Sequence, residues 1–244
     1  MTSFHGGKQR IGKRLAETIV ARSLAVDGFI IRGYCEPFCG MLGVYRHLPG
    51  LLGKQEEIEY KAGDASGSIV EMWRAAVSGW VPPTECTEEE YGRLKESEGA
   101  SALKGFVGHQ YSYGGQYFKG FIGRYGRDKP QPRAAARVTE IAAALREVDF
   151  TTCDYQSFSD LEGYIIYCDP PYAQTECRYE GAKGLSSFDS ERFWGWCRNM
   201  ARKNLVFISE FTAPDDFETV FESSCSSNVK GQPATGKEKL FFQR

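Results

Sequence analysis

The chain has 244 residues, of which 41% are hydrophobic and 25% charged, and its formal net charge is −2 at pH 7. These values are typical of a soluble globular protein, and no apolar run approaches the roughly 20 residues needed to cross a bilayer. The weakly acidic balance excludes a uniformly basic nucleic-acid binder but not a local basic patch.

The eight cysteines and three histidines do not form the close, paired spacings of a metal site. We therefore expect buried free thiols and no bound metal. Residues 1–5 lack the basic and apolar regions of a signal peptide, which predicts an intracellular, cytoplasmic protein.

Apolar residues recur at helical spacing in some segments and form short β-rich runs in others. In chain order, the sequence first predicts a helix over 8–24 and a strand from 29 that leads into a glycine-bearing turn at 36–43. A strand over 58–61 that ends near Asp64 and a helix over 69–76 follow. The last element predicted before residue 100 is a helix that begins at Thr87, with Glu90 three residues later. After residue 134 the predicted elements are a helix over 138–145, strands over 150–153 and 164–168, a helix over 193–200, and strands over 205–211 and 239–243. This alternation predicts an α/β protein with a doubly wound sheet.

The alternation breaks between residues 78 and 133. From residue 101 onwards this stretch is rich in glycine and aromatic residues and has no clear periodicity. Residues 101–137 contain seven Lys or Arg and one acidic residue, Asp128, so the rest of the chain is clearly acidic. We interpret 78–133 as an insertion into a domain formed by 1–77 and 134–244.

Four residues directly follow the strand predicted at 164–168: Asp169, Pro170, Pro171 and Tyr172. An exocyclic amino nitrogen of a base is a poor nucleophile because its lone pair is delocalised into the ring, so its methylation needs hydrogen-bond acceptors rather than a strong base. The Asp169 carboxylate and a backbone carbonyl freed by the prolines supply two acceptors, and the Tyr172 ring can stack on an extruded base. A strand that simply ends in a proline turn is the alternative.

Glycines and an acid at successive strand ends form an arrangement that holds an adenosine. Glycine lets the backbone approach the ligand, and the acid accepts hydrogen bonds from the ribose hydroxyls. Gly40, Gly43 and Asp64 follow that order, although an ordinary turn with a helix-capping aspartate has the same pattern. Gly6 and Gly7, with Lys8, can receive a carboxylate such as the methionine end of S-adenosylmethionine, a flexible N-terminal turn being the alternative.

Taken in this order, 6–8, 36–43, Asp64, Asp154 and 169–172 resemble the Dam-like, α-type (D12 class) DNA adenine N6-methyltransferases. Two further segments, 188–194 and 209–217, are similar to the shorter phage or viral type, which would act in a host cell. The resemblance covers nearly the whole chain. It implies a Rossmann-like S-adenosylmethionine-dependent methyltransferase sheet in which 78–133 is a mainly helical or irregular target recognition domain.

The resemblance also implies a set of site residues. The cofactor would be contacted by Phe4, Gly6, Gly7, Lys8, Glu36, Pro37, Phe38, Gly40, Asp64, Asp154, Tyr155 and Asp169, with Asp154 and Tyr155 at its adenine. The target base would lie against Asp169, Pro170, Pro171 and Tyr172. The chain departs from the family pattern at Phe4, where many relatives have tryptophan, and at Cys39, where a small residue is usual.

The basic, glycine-aromatic segment is predicted to contact double-stranded DNA, and residues 114–125 resemble the family's glycine-aromatic-arginine segment. Lys and Arg neutralise phosphates, and aromatic rings stack at an extruded base. The predicted DNA-binding residues are Lys104, Tyr111, Tyr113, Gln116, Lys119, Arg124 and Arg127. In the alternative interpretation the aromatics form a core beneath a solvated basic face, which fits Tyr111 and Tyr113 poorly because both lie in a glycine-rich loop.

We therefore expect a site-specific DNA adenine N6-methyltransferase that uses S-adenosylmethionine and transfers the methyl group directly to a flipped-out adenine, without a metal. One alternative is a related enzyme that acts on the amino group of cytosine or on adenine in RNA. Aspartate at 169 argues against cytosine, because cytosine enzymes often carry serine there. Another alternative is a catalytically silent DNA-binding homologue, in which a broken tetrad would be expected.

Overall fold

A computed structural model describes residues 7–53, 58–125, 132–145, 147–171, 188–229 and 232–243. Within these residues a single sheet contains seven strands. The strands are β1 (Gly33–Glu36), β2 (Glu59–Asp64), β3 (Val148–Thr152), β4 (Tyr164–Cys168), β5 (Leu205–Glu210), β6 (Glu218–Val229) and β7 (Gln232–Gln243).

The strand order is β3-β2-β1-β4-β5-β7-β6. Strands β1 to β5 pair in parallel, whereas β7 runs antiparallel to both β5 and β6. The chain moves outward from β1 to β3 and then restarts at β4 on the other side of β1, so the order reverses between β1 and β4. The predicted α/β class and Rossmann-like sheet are confirmed, and the reversal marks the place where such sheets bind ligands.

Seven α-helices accompany these strands in the described part of the chain. They are α1 (Gly12–Leu24), α2 (Leu48–Leu52), α3 (Gly67–Val77), α4 (Glu88–Glu96), α5 (Ala102–Gln110), α6 (Pro132–Ala144) and α7 (Ser190–Ala201). Short 3-10 turns occur at Tyr45–His47, Tyr113–Gly115, Ile122–Tyr125 and Tyr155–Phe158. Side-chain caps set several helix starts, including the predicted capping box of Thr87 and Glu90, and such a cap contributes about 1 kcal/mol.

Alternate residues of the central strands face two hydrophobic layers. In β4, Ile165 and Tyr167 pack in the layer that includes α1, α3, α5 and α6, whereas Ile166 and Cys168 pack against α7 in the other layer. Period-2 alternation puts successive side chains on opposite faces of a strand. Burying each large apolar side chain contributes roughly 1.5–3 kcal/mol. The sheet is therefore held rigidly from both faces, and its strand ends are fixed in position.

The segment predicted as an insertion is more regular than its composition suggested. It contains α5, which the lack of periodicity did not predict, and no strand lies within residues 78–125, where Ser112 and Phe121 form an isolated bridge. Phe106 and Val107 of α5 belong to the same buried layer as α1 and α3. The segment therefore shares the core of the sheet, and its separate role in target recognition stays a prediction.

A further difference concerns β6, which the sequence did not predict. Its partner β7 is twelve residues long, whereas the apolar run suggested only 239–243. Both strands contain polar stretches with little apolar alternation, so their β structure comes from pairing with each other and with β5.

Candidate active site

Parallel strands bring the predicted acids to one edge of the sheet. Glu36 and Asp64 are the last residues of β1 and β2, Asp154 comes two residues after β3, and Asp169 directly follows β4. Since β1 pairs in parallel with both β2 and β4, Asp64 and Asp169 lie on either side of the β1 end. The reversal of strand order is therefore flanked by Glu36 and Asp169.

The turn after β1 is anchored to the β2 end by Asp64. One carboxylate oxygen accepts the Gly40 N–H at 3.0 Å, and the other accepts the Ser66 N–H at 2.9 Å. Gly40 has φ 42°, a left-handed conformation suited to glycine, and its carbonyl accepts the indole N–H of Trp73 at 2.7 Å. The glycine-bearing turn and the aspartate thus form one braced unit, as expected for a site that approaches a ligand through its backbone.

The start of α1 packs directly onto this turn. A Cβ on Gly12 would lie 2.0 Å from the carbonyl oxygen of Gly43, so only glycine allows the two backbones to approach. The Lys8 carbonyl accepts the Gly12 N–H at 2.7 Å and thereby leads the chain into the helix. Local sequence patterns do not reveal the role of Gly12, because its neighbour lies thirty-one residues further along the chain.

Lys8 lies against the carboxylate of Asp169 at the end of β4. Its ammonium contacts Asp169 Oδ1 at 2.6 Å and Oδ2 at 2.7 Å, and Glu238 Oε1 at 3.1 Å. The side chains of Lys8, Asp169 and Glu238 are 4%, 20% and 14% exposed. Burial lowers the pKa of Lys8, but the two carboxylates outweigh this effect and raise the pKa above its usual value. The ammonium is thus held by side-chain carboxylates of the protein, and its predicted contact with the cofactor stays a prediction.

Glu36 is also more enclosed than a cofactor contact would be. Its side chain is buried, and the Tyr34 hydroxyl donates to Glu36 Oε1 at 2.6 Å. Burial raises the pKa of Glu36 well above its usual value, and the hydrogen bond from Tyr34 opposes this shift. Pro37, the next residue, is buried as well. Because the Glu36 carboxyl is enclosed by the protein at the end of β1, its direct contact with a ligand is not supported.

Aromatic rings form an apolar wall beside the exposed side chain of Asp154. The half-buried Phe38 ring stacks on Tyr155 with ring centroids 5.4 Å apart, and it meets Phe188 and Phe193 edge-on. Tyr155 is buried beneath this cluster, while Asp154 accepts the Gln156 N–H at 3.0 Å. An exposed carboxylate next to an apolar ring is suited to an adenine, whose amino group donates and whose face stacks.

Some predicted residues lie outside the described part of the chain. These are Phe4, Gly6, Tyr172 and Arg127, together with the side chain of Arg124. Gly7 is exposed at the start of the described chain, and Pro170 and Pro171 follow Asp169 at the end of β4.

The seven predicted DNA-binding residues divide into groups. Tyr111 is buried in the core, and Lys104 is buried with its ammonium donating to the backbone carbonyls of Ser97 and Gly99. Both predictions were wrong, because neither side chain is open to DNA. Tyr113 is 53% exposed, Lys119 is exposed and Gln116 is half-buried, so these three remain candidates.

A network of polar contacts shapes residues 111–120, which we call the recognition loop after their predicted role. The Tyr91 hydroxyl contacts Ser112 Oγ at 2.8 Å and accepts the Gly120 N–H at 3.1 Å. The Tyr113 N–H in turn donates to the Gly120 carbonyl at 2.9 Å. Tyr91 was not predicted as a site residue, because it acts from α4 on a loop twenty residues away. Its contacts hold the base of the loop and leave the Tyr113 side chain exposed at the surface.

The recognition loop and the strand ends are joined by the packing of α5 on α3. A Cβ on Gly105 would lie 2.1 Å from the Ser68 carbonyl oxygen, and the Tyr117 hydroxyl donates to Ser68 Oγ at 3.5 Å. Since α3 begins three residues after Asp64, these contacts attach the loop at the edge of the sheet that carries the acids.

Two further observations come from the described residues alone. They contain no group of three or more His, Cys, Asp or Glu side chains that could hold a metal ion. Among the same residues, no helix is both long and apolar enough to cross a membrane.

Comparison with known protein families gives one match. The model of the "D12 class N6 adenine-specific DNA methyltransferase" family matches residues 105–210. This range runs from α5 to the end of β5 and includes the recognition loop and the tetrad at 169–172, but it covers less than half of the chain. No curated protein matches the sequence.

Solved methyltransferase structures are similar to this chain at a low level. An rRNA methyltransferase from Streptomyces viridochromogenes is 16% identical, with 94% of this chain and 84% of that chain covered and a TM-score of 0.40. Magnesium protoporphyrin IX methyltransferase from Synechocystis with bound SAH is 10% identical, with 97% of this chain and 85% of that chain covered and a TM-score of 0.37. A SAM-dependent methyltransferase from Agrobacterium tumefaciens is 8% identical, with 97% of this chain and 62% of that chain covered and a TM-score of 0.41. Similarity at this level does not identify a substrate.

Proposed function

We propose that the protein is an S-adenosylmethionine-dependent methyltransferase that modifies the N6 amino group of adenine in double-stranded DNA. The observation that carries the proposal is the position of Asp169, Pro170 and Pro171 at the end of β4, beside the reversal of strand order. Ligands of open α/β sheets bind at this position. The family match at residues 105–210, which includes these three residues, supports the same conclusion.

The proposed chemistry needs acceptors at the amino nitrogen. Asp169 accepts one amino hydrogen through its carboxylate, and a backbone carbonyl of the Asp-Pro-Pro segment accepts the other. These bonds push the amino nitrogen from a planar towards a tetrahedral geometry and make its lone pair available for attack on the methyl group. Because Pro170 and Pro171 lack N–H groups, this stretch of backbone offers carbonyl acceptors without competing donors. Tyr172 would stack on the extruded base.

The cofactor fits the acids and rings at the strand ends. Asp64 would accept hydrogen bonds from the ribose hydroxyls, with the Gly40 turn close to the same ligand. Asp154 would accept from the adenine amino group, and Phe38 would pack on the adenine ring. When bound, the sulfonium of S-adenosylmethionine supplies an activated methyl group, so the protein is required mainly to position the acceptor and exclude water.

Recognition of DNA would come from the recognition loop. Its exposed Tyr113 ring can stack against bases or fill the space left by an extruded base, and Lys119 can neutralise a phosphate. Arg124 is a second proposed phosphate contact, and Gln116 and Arg127 are proposed to read a base edge. The loop is braced by Tyr91 and attached beside Asp64 through α5, which gives it a fixed position relative to the strand ends.

Methyl transfer from labelled S-adenosylmethionine to competing substrates tests this proposal. Duplex DNA, single-stranded DNA and RNA of the same sequence are offered together, and the products are digested and analysed as nucleosides. We expect N6-methyladenine in duplex DNA, with kcat reduced roughly 100-fold or more in Asp169→Ala at saturating cofactor, as for loss of an oxyanion-type contact. N4-methylcytosine as the product, label mainly in RNA, or normal turnover by Asp169→Ala would each contradict it.

A further inference from the structure

The Lys8 ammonium joins three parts of the chain that are distant in sequence. Lys8 precedes α1, Asp169 follows β4, and Glu238 lies in β7 opposite Ser223 of β6. The ammonium contacts both oxygens of Asp169 and one oxygen of Glu238 in a largely enclosed setting. We call these three side chains the ion cluster. Lys8, its central member, contacts the Asp169 carboxylate, on which the proposed function depends.

Lysine alone cannot fix the direction of a carboxylate. Its ammonium is a compact charge on a flexible four-carbon stem, so its position is set by the groups around it. In the ion cluster those groups include Asp169 and Glu238, at 2.6 Å and 3.1 Å. The contact with Glu238 adds an anchor in β7, which restricts rotation of the ammonium together with the Asp169 carboxylate.

We propose that Glu238 is a positioning residue for methyl transfer, which anchors Lys8 so that the ammonium fixes the orientation of the Asp169 carboxylate. This inference rests on the proposed function of Asp169 as the acceptor of an amino hydrogen. Acceptors of this kind must be held to within roughly 0.5 Å, and a misplacement of about 1 Å can cost as much as 100-fold in rate. Glu238 is not expected to touch either the substrate or the cofactor.

The β6–β7 hairpin provides a matched control. Glu222, on the neighbouring strand, pairs with Lys237 at 3.1 Å and Lys239 at 3.6 Å, and its own side chain is 41% exposed. Two strands, β5 and β7, lie between its strand and β4, which Asp169 follows. Exposed pairs of this kind contribute little to stability. Glu238→Gln and Glu222→Gln therefore remove the same charge from the same hairpin, with and without contact to Lys8.

Steady-state kinetics at saturating cofactor separates positioning from a purely structural role. Glu238→Gln should lower kcat roughly 10- to 100-fold, with cofactor affinity and melting temperature close to those of the unsubstituted protein. Glu238→Asp, which keeps the charge, should recover part of the loss, whereas Glu222→Gln should be unaffected. If kcat is unchanged in Glu238→Gln, or falls only in proportion to lost folded protein, the proposal is wrong.

Coupling to Lys8 tests the route of the effect. In a folded Lys8→Met protein the ammonium is absent, so adding Glu238→Gln should cause no further loss of kcat. If the losses of the two substitutions instead multiply, Glu238 acts independently of Lys8 and the proposed role is excluded.

Hydrogen exchange of the Lys8 ammonium provides a readout that needs neither methyl transfer nor access of a reagent to the buried side chain. Glu238 contacts the ammonium and helps to raise the pKa of Lys8, so Glu238→Gln should speed exchange of the ammonium protons several-fold, measured by NMR with isotope-labelled lysine. Glu222→Gln should leave this exchange rate unchanged. Equal exchange rates in the unsubstituted protein and in Glu238→Gln would overturn the ion cluster itself. Absence of methyl transfer by the unsubstituted protein, with the exchange rates as expected, would instead refute the proposed function.

Discussion

The contact between α5 and α3 leads to the sharpest prediction about how the recognition loop is attached. A Cβ on Gly105 would lie 2.1 Å from the Ser68 carbonyl oxygen and 2.7 Å from its carbon, whereas ordinary contacts begin near 3.4 Å. Gly105→Ala must therefore separate the two helices by roughly 1 Å, and overpacking of this kind typically costs about 1–3 kcal/mol.

Gly92 in α4 is the matched control, because a Cβ there would meet no atom within 4 Å. Both substitutions gain about 1 kcal/mol of helix propensity, so the difference between them isolates the packing cost. For a chain of this size about 2–4 °C of melting temperature corresponds to 1 kcal/mol. Gly105→Ala should thus melt roughly 2–12 °C below Gly92→Ala in a thermal scan.

The same pair of variants tests the coupling of the loop to the sheet. Since α5 carries the recognition loop at its C-terminal end, Gly105→Ala should weaken binding of duplex DNA more than it weakens binding of the cofactor. Equal melting temperatures for the two variants would show that α5 does not pack closely on α3. Equal loss of both affinities would show that the loop is not specifically displaced.

Two further predictions concern the ligands. Asp64→Ala should weaken cofactor binding by about 1.5–3 kcal/mol, because it removes a charge-assisted acceptor and releases the Gly40 turn; unchanged affinity by calorimetry in a folded protein would remove Asp64 from the site. Lys119→Ala should weaken DNA binding across all sequences and reduce the slope of log affinity against log salt by about one unit. An unchanged slope would show that this exposed lysine is merely solvated, and Arg178 and Lys183, after Tyr172 in the sequence, would be the next candidates for recognition.

The sequence was most informative for features that depend on neighbouring residues along the chain. Strand ends followed by acids predicted the positions of Asp64 and Asp169, and periodicity predicted most helices of the sheet domain. The polar hairpin of β6 and β7 was predicted only at its apolar end, because its strands are stabilised by partners rather than by their own alternation.

Contacts between distant segments could not be predicted from local patterns. The close approaches of Gly12 and Gly105 depend on which backbone lies opposite, and the contacts of Glu238 and Tyr91 depend on how β7 and α4 pack. The prediction for Tyr111 failed for the same reason. A tyrosine in a glycine-rich segment looked exposed, but α5 carries it into the core.

The most direct test of the central claim is the modified-base content of DNA from cells that produce the protein. We expect N6-methyladenine at a defined set of sites in cells with the unsubstituted protein and its absence in cells with Asp169→Ala at equal protein levels. N6-methyladenine at the same level with Asp169→Ala, or unmodified DNA in cells that contain folded, cofactor-binding protein, would contradict the account.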